Sequence, residues 1–218
     1  MASNKLLKSV LIVLVLGTSS VICLVLYLVI YSFFLKPLQT FLTTSSPDKT
    51  YTVSLRGQTT QPIFFTAEVR YDVSKKGAPI LSNKFLSSAD GLDFPFEFLY
   101  PNHRWIDEQT IQFYREENLR ERPPDTVVVV NNTGKTLKLV RIESTEIVLF
   151  FEMQPGFKDS IPSSQSKGDR KGLFVGGEFT DGTSIMEFTA DFDLKGRREP
   201  RTFRVDLRAD KTTVEMLN

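Results

Sequence analysis

Tyr51-Thr52-Val53-Ser54-Leu55-Arg56 alternates apolar and polar side chains, and that period of two decides the fold. Successive side chains of an extended strand point to opposite faces, so Tyr51, Val53 and Leu55 face a core while Thr52, Ser54 and Arg56 face water. The period recurs in both directions along the chain. Ile63, Phe65, Ala67, Val69 and Tyr71 alternate with Phe64, Thr66, Glu68, Arg70 and Asp72. Phe94, Phe96, Phe98 and Tyr100 form an aromatic row, and Ile111 and Phe113 flank Gln112. Met186, Phe188, Ala190, Phe192 and Leu194 repeat the pattern, as do Phe203, Val205 and Leu207. No window of the body repeats as strongly at 3.6 residues. The fold expected is a single N-terminal transmembrane helix followed by an all-β body, a β-sandwich of one or two small domains.

Asn131-Asn132-Thr133-Gly134 separates two apolar runs, Thr126–Val130 and Leu137–Ile142, and this spacing predicts a hairpin. Glu116–Asp125 (EENLRERPPD) holds six charges and a Pro-Pro pair, a composition that buries too little apolar surface to fold alone. It predicts a linker over 116–125 between a first β domain at 47–115 and a second at 126–218. The first piece is near the lower size limit for a core without disulfides, so two packed pieces and one sandwich both stay open. Ser163–Gly172 (SSQSKGDRKG) reads as a mobile polar loop.

Val10 to Leu35 runs for 26 residues without a charge. A helix of that length rises about 39 Å at ~1.5 Å per residue, enough to cross a hydrocarbon core of about 30 Å. Lys36-Pro37 stops it. Lys5 and Lys8 precede the run and only Lys36 follows closely, which predicts a cytoplasmic segment 1–9, a transmembrane helix 10–35 and a tether 36–46. The single-pass signal anchor is the reading of choice over a cleaved signal peptide, which would leave Val21–Leu35 greasy at a new terminus. A lipoprotein cysteine at Cys23 would need a small residue where Ile22 stands. The β body is expected outside the cytoplasmic membrane.

Charge excludes further classes. The chain has 27 Lys and Arg against 26 Asp and Glu, but residues 1–46 hold three lysines and no acid, so the body is slightly acidic. That argues against nucleic acid as a partner. Cys23 and His103 are the only cysteine and histidine, which removes most metal and nucleophile chemistry. Gly134-Lys135-Thr136 lacks the earlier glycine of a phosphate loop, Val129 standing in its place, and a strand follows it. Asn131-Asn132-Thr133 is formally a glycosylation acceptor. Asp191 and Asp193, with Glu187, share one strand face and are the only acid–base candidates, opposite the apolar set where a solvated face is expected. No catalytic, metal or cofactor residue is assigned, and no cofactor is expected.

Ser46-Pro47-Asp48-Lys49-Thr50-Tyr51-Thr52-Val53 followed by Trp105-Ile106-Asp107-Glu108-Gln109-Thr110-Ile111 resembles small bacterial membrane-anchored domains of unknown function. Those domains open on an S-P-D/N-x-x-Y-x-V strand and close on a W-x-D-x-x-T-I/V strand. The resemblance covers about 45–115 and brings no catalytic residues. In physical terms Ser-Pro-Asp opens a turn, and Asp107 starts a second one. Residues 126–218 resemble an immunoglobulin-type domain more loosely, through Asn131–Thr136 and the turn pair Pro155-Gly156. The expected role is a non-enzymatic, membrane-tethered β-sandwich offering a surface for protein interaction or envelope structure, with the bilayer and an envelope protein as partners. The alternative is a carboxylate-dependent hydrolase of envelope material acting through Asp191 and Asp193.

Overall fold

The computed structural model describes residues 15–28, 38–57, 67–89, 102–114, 124–144, 146–163, 170–185, 187–194 and 199–217. A helix, α1, spans 15–28. The strands are β1 (Gln39–Ser45), β2 (Tyr51–Gly57), β3 (Ala67–Lys75), β4 (Ala78–Ala89), β5 (Asn102–Trp105), β6 (Thr110–Tyr114) and β7 (Asp125–Asn131). They continue as β8 (Leu137–Glu143), β9 (Ile147–Met153), β10 (Lys158–Ser163), β11 (Arg170–Phe179), β12 (Phe188–Asp193), β13 (Thr202–Leu207) and β14 (Thr212–Met216). The all-β body expected from the period of two is present.

Three sheets form: a meander β1-β2-β3-β4, a six-stranded sheet β12-β11-β8-β9-β6-β5, and a four-stranded sheet β10-β7-β13-β14. The six-stranded sheet is the middle layer. Ile111, Phe113, Leu139, Ile147, Leu149 and Phe151 turn to the meander and share a core with Tyr51, Val53, Leu55, Val69 and Tyr71. From the opposite face Val140, Ile142, Val148, Phe150, Leu173 and Val175 meet Val127, Val129, Ile161, Phe203 and Val205 of the third sheet. Each such buried side chain contributes about 1.5–3 kcal/mol relative to leaving it in water.

Strand patterns follow from the layers. β2 meets a core on one side only and alternates between buried and half-buried residues along its length. β9 has a core on both sides, and Ile147 through Phe151 are all buried. The same double coverage buries Gln112, which the period of two places on a wet face. Glu152 takes a φ of 52°. It follows Phe151 on the meander side, where it pairs with Lys75, and Met153 swings to the opposite core.

Several expectations change. Residues 39–45 of the expected tether form β1, because Phe41 and Leu42 pack on the first core and the hydroxyls of Thr43 and Ser45 meet those of Ser54 and Thr52 at 3.1 and 3.0 Å. The hairpin expected around Asn131–Gly134 is absent: β7 pairs with β10 and β13, while β8 pairs with β11 and β9 in another layer. The segment is an arch between sheets. Its cause is the buried Asn131 amide, whose Nδ2 is shared among the carbonyls of Lys135, Met153 and Gln154 at 2.9–3.0 Å.

β6 pairs antiparallel with β9, so one sheet takes strands from both sides of the 116–125 stretch. The boundary expected there is bridged by a continuous sheet, because Ile111 and Phe113 of β6 fill the first core while Gln112 on its other face donates to Glu146 and to the Pro162 carbonyl. The expected polar loop 163–172 shrinks as well. Ser163 ends β10 and Lys171 lies in β11, both buried. The aromatic row Phe94–Tyr100 and the start of the Ile63–Tyr71 run lie outside the described residues.

For the anchor, the described helix covers 15–28, with residues 10–14 and 29–35 of the expected span outside the described residues. Among the described residues no helix is long and apolar enough to cross a membrane.

Candidate functional site

The turns quoted in the resemblance are structural. Asp48 Oδ1 accepts from Ser46 Oγ at 2.6 Å and from Thr50 N at 2.9 Å, and these bonds lower its carboxyl to about 2. Asp107 Oδ1 accepts from Gln109 N at 2.6 Å and turns β5 into β6. Trp105 donates from Nε1 to Thr44 Oγ1 at 3.1 Å and lies against the first core. His103 is half-buried on β5 beside Phe113, and burial pulls its imidazole below the usual value.

Other sequence candidates separate. Gly134 has a φ of 75°, and Lys135 Nζ rests over the Phe179 ring, 3.9 Å from Asp181. The chain then enters β8, with no helix to hold phosphate. Asn131 is fully buried with its amide engaged, so the formal glycosylation acceptor is closed. Asp191, Asp193 and Glu187 are exposed on or just before the edge strand β12. Among the described residues no cluster of three or more His, Cys, Asp or Glu side chains could hold a metal.

The seam between meander and middle sheet is ionic at its rim. Lys75 pairs with Glu152, while Lys84 and Lys138 both reach Glu178. Burial would raise both glutamates, but the lysines outweigh it and lower them. Arg141 donates to the carbonyls of Phe85 and Leu86 on the edge strand β4 and lies between the Phe85 and Phe174 rings, 5.6 Å from each.

The charges buried deepest lie on the other side, between the middle sheet and the third. Lys171 Nζ donates to Asp125 Oδ2 at 2.7 Å, with side-chain exposures of 1% and 3%. The same nitrogen donates to Ser163 Oγ at 3.1 Å and lies 5.1 Å from the centre of the Phe203 ring. Asp125 Oδ1 accepts from the backbone N–H of Arg201 at 3.0 Å. Glu146 is buried, accepts from Gln112 Nε2 and acts electrostatically on Lys171. Gln112 Oε1 accepts from Arg104 Nε at 2.8 Å. Burial pulls the ammonium of Lys171 below the usual lysine value, against the opposite pull of Asp125 and Glu146.

Sequence reasoning missed this cluster because Asp125 closes the charged 116–125 stretch and Lys171 sits in the polar 163–172 stretch. Locally each reads as solvated, and no short motif joins residues that far apart. No known protein family, curated protein or solved structure matches the chain.

Proposed function

We propose that the chain is a single-pass membrane protein that holds a layered β body outside the cytoplasmic membrane as a surface for protein interaction or envelope structure. One observation carries the reading. Eight large aliphatic residues of α1 (Val15, Leu16, Val21, Ile22, Leu24, Val25, Leu26 and Leu28) are each 51–62% exposed. A helix apolar all round belongs in lipid or in a large core. The uncharged run of which α1 is part reaches bilayer length, and the lysine bias places its N-terminal end inside. The resemblance of residues 45–115 to membrane-anchored domains agrees with this placement. Mixed charges on the outer face of the meander, such as the Arg56–Asp72 pair, suit a weak protein partner.

Cys23 is the sole thiol of the chain and reports on the helix directly. In sealed membranes a membrane-impermeant maleimide leaves Cys23 unlabelled until detergent is added, and alkaline carbonate leaves the protein in the pellet. Recovery in the soluble fraction with Cys23 already reactive would overturn the placement. A Cys23→Ala, Asp48→Cys variant is labelled from outside intact cells if the body faces outward, and labelled only after lysis if it faces the cytoplasm.

A further inference from the structure

We propose that Lys171 and Asp125 join in an intramolecular amide bond, made with the help of Glu146, which welds the middle sheet to the third sheet. Lys171 lies on β11 and Asp125 begins β7, so the bond would tie two layers and close the chain between positions 125 and 171. In water this condensation does not proceed, because the amine is protonated and the acid ionised. Here both groups are removed from water and face each other at 2.7 Å. Burial pulls the Lys171 ammonium toward the neutral amine, the form that can attack a carboxyl carbon. Fixed proximity replaces a bimolecular encounter.

The surroundings supply the remaining parts. A proton passes from Nζ to the aspartate along the existing hydrogen bond. The Nζ lone pair attacks Cγ, and the Arg201 N–H, 3.0 Å from Oδ1, stabilises the negative charge that develops on that oxygen. Buried Glu146 carries a proton from the attacking nitrogen to the departing oxygen. One C–N bond forms, one C–O bond breaks and one water leaves, with no oxidant or reductant involved. Ser163 and the Phe203 ring hold the amine in place and keep the site dry. A body without cysteine, placed outside the reducing cytoplasm, would gain from this bond the kind of restraint a disulfide gives.

Intact mass spectrometry of the full-length protein, purified folded in detergent and then denatured, tests the proposal. The expected mass is one water below that of the sequence, with a branched tryptic peptide joining the segments that carry Lys171 and Asp125. The full sequence mass would overturn it. So would a water loss that maps to a cyclic imide at Asp181-Gly182. Asp125→Asn is expected to lose ammonia in place of water, and Lys171→Arg to keep its full mass. Glu146→Gln is also expected to stay at full mass, and a Glu146→Gln protein still lighter by one water would remove Glu146 from the reaction.

Discussion

The two faces of the middle sheet handle charge in opposite ways. Toward the meander the core is apolar and the charges ring it, with exposures of 35% and 28% for Lys75 and Glu152 and 39% and 15% for Lys84 and Glu178. Toward the third sheet a lysine and an aspartate sit inside, at 1% and 3%. Rim pairs keep access to water, so losing one leaves a group that water can solvate. A buried pair has no such fallback, since its attraction must offset the desolvation of both ions. The meander seam is therefore tunable charge by charge, whereas the inner cluster stands or falls as a unit.

Mutations can break or sharpen this contrast. The largest effect is expected from Lys171→Ala, which removes the buried cation facing Asp125 and Glu146 and lowers stability by about 3–5 kcal/mol in denaturant unfolding. A loss below about 1 kcal/mol would place the pair in the rim class. Asn131→Ala takes the donor from three carbonyls in the arch that links the two regions, and a loss of roughly 2–4 kcal/mol is expected by the same measurement. Gly177→Ala would bring a Cβ to 2.8 Å from the Leu139 carbonyl and 2.9 Å from Ile185 Cδ1. Overpacking there costs about 1–3 kcal/mol and lowers the melting temperature.

At the rim the expected effects are smallest. Lys75→Ala should change stability by about 0.2–1 kcal/mol, and high salt should erase the difference. Glu152 and Glu178 titrate lower in the folded than in the unfolded chain. Their contribution is complete above the ordinary glutamate value of 4.5 and is lost as pH falls through the depressed folded values. A pH series of unfolding curves should show this acid slope shrink in a Lys84→Ala, Lys75→Ala double variant. An unchanged slope would detach the rim lysines from it.

Legibility in the sequence divides along the same line. β2 and β12 could be read from alternation because each meets solvent on one face, and the exposed Asp191 and Asp193 match the solvated face expected of them. Middle-layer strands defeat that reading. Gln112 looks like a wet residue between Ile111 and Phe113 until a second layer covers it. The hairpin failed because turn residues mark a change of direction but not whether the next strand stays in the same sheet. The inner cluster was hidden by polarity itself. Asp125, Ser163 and Lys171 satisfy one another across as many as 46 positions, and nothing local announces such partners.

The parallel pairing of β7 with β13 sets a timetable. A chain synthesised from its N-terminal end delivers the meander first, and its neighbouring strands can pair as they are made. Its inner face, with Val53, Leu55 and Tyr71, then stays bare until β6, β8 and β9 arrive. β7 and β10 can pair earlier, but the third sheet stays incomplete until residues 202–207 are made, because β13 lies between β7 and β14. Late, non-local closure of this kind is slow and leaves sticky intermediates. The interval between synthesis of the meander and final closure is when this chain is most exposed to aggregation.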